Sequence, residues 1–180
     1  MKMRGFTIIE MLVAVAVFSF VISAASGVFI FALKSQRQGL AFQTMLDQVS
    51  YLEEYMSRAI RMAKKEKSAP NCLSNNGLNY EKTRAGQGLK FVNYQGYCQE
   101  FFFDAASGRL KEAKSGPTAV ENFLTSASLT ISSFNIKLAG ENQTDDNQPK
   151  VTLFLKAQSK EGTIIKIQTT ISQRNLDIRK

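Results

Sequence analysis

The sequence predicts an α+β fold: a long N-terminal α-helix, membrane-spanning in its first half, packed on an antiparallel β-sheet domain. Three observations predict it. Met11 to Leu33 is a run of 23 residues without a charged side chain, long enough to cross a bilayer as a helix. Past that run, apolar residues recur at threes and fours, the spacing of one helical face. From residue 71 onward the apolar spacing becomes two, the period of a strand with one buried side.

The apolar helix carries one charge near its start, Glu10. An ionisable group at the edge of a membrane segment is costly and is a functional candidate by default. No cation within the helix can pair with it. The nearest candidate is the amino group created if the chain is cut after Gly5; the alternative is that Glu10 snorkels to the headgroups.

Beyond Leu33 the pattern turns amphipathic. Phe42, Met45, Val49, Leu52, Met56, Ala59 with Ile60, and Ala63 share one face, and Glu54 and Arg58 stand four apart in the favourable order for an ion pair. Arg58, Arg61, Lys64, Lys65 and Lys67 suit a helix C-terminus, and Pro70 follows. One helix is therefore predicted from about Phe6 to Lys67, with Gly27 and Gly39 as candidate bends. The same basic cluster could contact nucleic acid, but Glu66 interrupts it and no aromatic residue interleaves there, so a solvated helix end is the simpler reading.

Strands are predicted over Gly88–Tyr94 and Tyr97–Phe103, joined by a turn at Gln95-Gly96, and a turn over Asp104–Gly108 leads into Arg109–Glu112. A short helix or coil is expected near Val120–Leu124. Leu129 and Ile131, then Phe134, Ile136 and Leu138, alternate with a slip of phase at Ser132-Ser133 that predicts a bulge. Val151, Leu153, Leu155 and Ala157 alternate cleanly, as do Ile165, Ile167, Thr169 and Ile171, with a turn at Glu161-Gly162 between the two runs.

The N-terminal residues resemble a known family. A short basic leader, Met1-Lys2-Met3-Arg4, then Gly5, Phe6-Thr7-Ile8-Ile9-Glu10 and an apolar helix are similar to a type IV prepilin or pseudopilin. The resemblance implies cleavage by a membrane peptidase between Gly5 and Phe6, N-methylation of Phe6, and pairing of Glu10 with the N-terminus of a neighbouring subunit. It implies a pilin-like fold with a leader at 1–5, a transmembrane and filament-core helix at 6–33, an amphipathic continuation at 34–70 and a β-rich globular domain at 71–180. Other pilin or pseudopilin subunits, the prepilin peptidase, an inner-membrane assembly platform and membrane lipid are the implied partners. The segments around Leu124–Phe134, Gln148–Leu153 and Ile167–Arg174 are similar to J-type minor pseudopilins of type II secretion and their minor-pilin counterparts.

Cys72 and Cys98 are the only cysteines. In an exported domain they are most simply a disulfide; two free buried thiols or a metal pair are the alternatives. Lys2 and Arg4 before the span are matched by Lys34 and Arg37 after it, so the positive-inside count is a tie. A short leader cannot hold a domain, and the cysteines favour an oxidising side. The expectation is a single-pass protein of the cytoplasmic membrane with its C-terminal domain outside, filament-associated after assembly.

With no histidine in the chain, Ser-His and Cys-His nucleophile systems are excluded. No phosphate-binding motif is complete; Gly86-Gln87-Gly88 is a fragment. Asp104, Asp145, Asp146 and Asn147 are loop oxygens that match no calcium-loop spacing. No cofactor or metal is expected, and the chain reads as a structural protein, not an enzyme. Two rival functions remain: a DNA-binding minor pilin of a competence filament, and a soluble binding protein exported by a signal peptide cut near Ala24-Ala25-Ser26.

Overall fold

The computed structural model describes residues 5–67, 72–117, 119–141 and 147–175. A single helix, α1, runs over Ile8–Arg61, passing through Gly27 and Gly39 without interruption. The chain divides into two compact units, Met1–Ala41 and Phe42–Lys180.

In the first unit every described residue from Gly5 to Leu40 is exposed. Large apolar side chains such as Phe18, Phe20, Phe29 and Phe31 therefore stand uncovered. Burying such residues is worth roughly 1.5–3 kcal/mol each, so the segment requires lipid or other chains around it. It is long and apolar enough to cross a membrane.

The second unit is built on the other half of the helix. Met45, Val49, Leu52, Met56 and Ile60 are buried, with Ala63 just beyond the helix, which is the stripe the spacing predicts. Phe42 departs from it and remains 40 % exposed, because it stands at the edge of the unit where the sheets no longer cover that face.

Among the described residues eight strands form two antiparallel sheets where one was expected. The first contains β1 (Glu81–Thr83), β2 (Gly88–Val92), β3 (Cys98–Asp104), β4 (Arg109–Lys114) and β5 (Val120–Phe123), in chain order. The second contains β6 (Leu129–Ala139), β7 (Lys150–Ser159) and β8 (Ile164–Ser172), also in chain order. A backbone bond from Ile131 N–H to Gly108 C=O (2.8 Å) ties them together. One core serves both: Leu89, Phe91, Phe101 and Leu110 from the first sheet and Ile131, Phe134, Val151 and Ile171 from the second join the helix stripe.

Val120–Phe123 is an edge strand instead of a short helix or coil. Its register on β4, Lys111 opposite Phe123 and Lys114 opposite Val120, places Phe123 under the Arg109 guanidinium, 3.8 Å from the ring centre. The register between β6 and β7 shifts between Ile131 and Ser133, a bulge where the phase of the apolar pattern slips. The Gln95-Gly96 turn is held by Asn93, whose Oδ1 accepts from the N–H groups of Gln95 and Tyr97, both at 3.0 Å; Gly96 supplies the left-handed φ of +92°.

The helix stops at Arg61 rather than near Lys67. Its last carbonyls, and that of Ala63 just beyond it, are capped by distant parts of the unit. Tyr80 Oη donates to Ile60 C=O (2.8 Å), Gln173 Nε2 and Asn175 Nδ2 donate to Ala63 C=O (2.8 and 3.1 Å), and Arg174 N–H donates to Arg61 C=O (2.8 Å). Lys64 N–H is drawn to Val92 C=O at 2.8 Å. Groups that would otherwise be orphaned at a helix end are satisfied by tertiary partners, so the chain has no reason to continue the helix.

Burial raises the Tyr80 hydroxyl well above the usual phenol range, since this side chain is 1 % exposed. Above about pH 10 an unfolded chain releases this proton while the folded one keeps it, so stability declines as pH rises. Chemical denaturation should show a plateau through pH 9 and a decline above it. In Tyr80→Phe the decline should be shallower by up to about 1.4 kcal/mol per pH unit.

A buried polar cluster joins helix and sheet. Glu112, 4 % exposed, accepts from Tyr55 Oη (2.7 and 3.0 Å to its two oxygens) and from Gln99 Nε2 (2.5 Å), and lies 3.1 Å from Lys114 Nζ. Lys114 Nζ also donates to Tyr55 Oη at 2.8 Å. Burial raises Tyr55. Burial pulls Lys114 down, but its bonds to Tyr55 and Glu112 outweigh that and raise it.

Candidate functional site

Gly5, Phe6 and Thr7 precede the helix in non-helical conformation. A Cβ built on Gly5 meets no heavy atom within 4 Å, and Gly5 has no left-handed φ. Among the described residues neither packing nor backbone conformation calls for glycine at that position. Phe6 is 85 % exposed.

Thr7 and Glu10 form a reciprocal capping box, for which the spacing Thr-x-x-Glu is a sequence signature. Glu10 N–H donates to Thr7 Oγ1 (3.3 Å), while Thr7 N–H and Thr7 Oγ1–H both donate to Glu10 Oε2 (3.1 Å each). Two donors left orphaned at the first turn are thereby satisfied, and a carboxylate at this end is favourable for the helix dipole. The sequence offers no cation inside the helix for Glu10, and the bonds from Thr7 are neutral. They hold the carboxylate in place at the first turn without cancelling its charge.

Cys72 and Cys98 are joined, with S–S 2.10 Å and Cα atoms 5.2 Å apart. The bridge ties the segment after the helix to the start of β3. Glu66, which interrupts the basic cluster, is buried at 6 % exposure and accepts from the N–H groups of Cys72 (3.1 Å) and Leu73 (3.3 Å). Its role is to order this segment. Closing a loop of 26 residues is worth roughly 3 kcal/mol in the chain-entropy model. Cys72→Ser/Cys98→Ser should therefore unfold in chemical denaturation with that much less stability and an otherwise native near-ultraviolet spectrum.

Arg58 is paired with Glu54 at 2.5 Å on the exposed helix surface. Asp104 is engaged by Ser107 Oγ (2.6 Å) and Lys111 Nζ (3.1 Å), and these hold its carboxyl below the usual range. Asp145 and Asp146 lie outside the described residues, as do Met1 to Arg4 of the leader. Among the described residues no group of three or more His, Cys, Asp or Glu side chains could hold a metal ion.

Residues 1–26 match the family model described as the prokaryotic N-terminal methylation motif. No curated protein and no solved structure matches the chain. The motif implies processing by a prepilin peptidase and assembly with other pilins. Together with the long apolar helix, it supports a membrane-anchored protein of the type IV pilin-like kind.

Proposed function

We propose that this chain is a minor pilin or pseudopilin, a structural subunit of a type IV pilus or type II secretion pseudopilus, with J-type minor pseudopilins and their minor-pilin counterparts as the nearest subtype. The leader 1–5 is removed between Gly5 and Phe6, and the Phe6 amino group is methylated. Residues 6–33 lie in the cytoplasmic membrane as a single span and then in the filament core; 34–70 continue the helix, and 71–180 face the extracytoplasmic side. The motor, platform and peptidase are separate proteins.

One observation carries this reading: an uncovered apolar helix whose first turn holds a single carboxylate beside a glycine that the chain itself does not require. A glycine free of local demands is explained by an external enzyme that reads it. The ammonium group of a neighbour's Phe6 would neutralise Glu10 away from water, a pairing that sets the axial register between subunits. Intact mass and N-terminal peptide sequencing of the protein from its native membrane provide the test. A start at Phe6 with one added methyl group is the expected result. A start near Gly27 would make the mature protein a soluble exported one and end the filament reading.

A further inference from the structure

Strands β6, β7 and β8 contain four lysines, Lys137, Lys150, Lys156 and Lys166, and no acidic residue. The register puts all four on one side. Lys137 stands opposite Thr152, Lys156 stands opposite Lys166, and Lys150, Thr152, Phe154 and Lys156 alternate along β7. The other side of β7, with Val151, Leu153 and Ala157, is buried in the core. None of the four lysines is paired with a carboxylate among the described residues.

Two features of this face oppose stability. Lys156 and Lys166 are direct cross-strand neighbours, an arrangement that like charges make unfavourable. Phe154 stands 37 % exposed among them. Lysines on an edge strand are a common guard against unwanted pairing, which accounts for Lys166 on β8. It does not account for Lys150 and Lys156, because β7 is the central strand of its sheet.

We propose that the outward face of the β6–β8 sheet binds nucleic acid through its phosphate backbone. The rest of the face fits that partner better than an acidic protein surface. Apart from Phe154 and Ile164, its neutral groups are chiefly hydroxyls and amides, including Ser132, Asn135, Thr152, Gln168 and Thr170, the side chains that accompany lysine at phosphates. Lysine and serine are depleted in the cores of protein–protein interfaces. Phe154, Lys156, Lys166 and Gln168 line a shallow groove of about 380 Å³, which offers an aromatic ring for stacking an unpaired base. Lys150 and Lys156 are six residues apart on β7, about 20 Å along an extended strand. A duplex carries roughly a dozen phosphate charges over that length. This surface is distinct from the basic cluster after the helix, and the inference does not depend on the filament reading.

Fluorescence anisotropy with the full chain in zwitterionic nanodiscs tests it, using a labelled mixed-sequence duplex of about 20 base pairs and a single strand of equal length, each spanning the face. Three to four phosphate contacts predict that log affinity falls against log salt with a slope of about −3 for duplex, or about sixtyfold between 50 and 200 mM salt, and less steeply for the single strand. Lys137→Gln/Lys150→Gln/Lys156→Gln/Lys166→Gln should lower affinity at 50 mM salt at least about tenfold and flatten the slope. Phe154→Ala should weaken the single strand about fivefold. Lys64→Gln/Lys65→Gln/Lys67→Gln should bind within about twofold of the parent, since that cluster lies elsewhere. The proposal is overturned if neither nucleic acid binds at low salt, or if the Lys64/Lys65/Lys67 variant loses as much as the sheet variant. It is equally overturned if polyglutamate or anionic-lipid nanodiscs displace the duplex at equal charge concentration, which would reassign the face to acidic protein or membrane.

Discussion

Glu112→Ala lowers the thermal midpoint of the globular unit by roughly 10 °C. The carboxylate is buried at 4 % exposure and holds Tyr55, Gln99 and Lys114 together. Removing it leaves the buried Gln99 amide and the half-buried Tyr55 hydroxyl without their carboxylate acceptor, a loss of about 2–4 kcal/mol. Lys114 softens the effect because its side chain is 38 % exposed and can return to water. For a unit of this size each kcal/mol moves the midpoint by roughly 3–4 °C. Glu112→Gln retains a carbonyl acceptor for Tyr55 and should cost about 1 kcal/mol. Differential scanning calorimetry on the two variants separates the cases: equal losses would mean that charge, not hydrogen bonding, holds the cluster.

This cluster also shows where local sequence signals fall short. Leu110, Glu112 and Lys114 share one parity on β4, the side that packs toward the helix. A carboxylate at a core position is a conflict between local pattern and fold, and such conflicts mark sites held by specific partners. Two of those partners, Tyr55 and Gln99, come from other elements, and nothing in the local sequence announces them. The helix end is hidden for the same reason. Cations and Pro70 point to Lys67, whereas capping by Tyr80 and the Arg174 N–H decides for Arg61. Both are tertiary overrides of local signals.

What is legible rests on periodicity. Burial at Met45, Val49, Leu52, Met56 and Ile60 follows the helical repeat because one face must meet the sheets. The alternation of β6 to β8 and its slip at Ser132-Ser133 show directly in the register. Period two cannot say how many sheets the strands form, so their division into groups of five and three is not readable from it. The Thr7–Glu10 box is readable from its spacing, although the charge of Glu10 is the stronger signal and draws the reading away from its local bonds.

Glu10→Ala and Glu10→Gln should both be cut and methylated normally, and both should be recovered in sheared filaments roughly fiftyfold less than the parent. Leaving an unneutralised carboxylate in lipid costs about 2.5 kcal/mol or more, and on the proposed role the ammonium group of a neighbour recovers that energy only in the assembled state. A difference of that size is close to two powers of ten in an equilibrium. The pair of variants separates charge from structure. Glutamine can replace glutamate in a capping box, so Glu10→Gln keeps the first turn that Thr7 organises and loses only the charge. If Glu10→Gln assembles like the parent while Glu10→Ala does not, the carboxylate serves the helix start alone and intersubunit pairing is refuted. Gly5→Leu provides the complementary measurement. Gly5 is unencumbered in this structure, so the variant should fold and insert as the parent does, yet remain at its precursor mass. A processed Gly5→Leu protein would mean that the glycine is not what the peptidase reads.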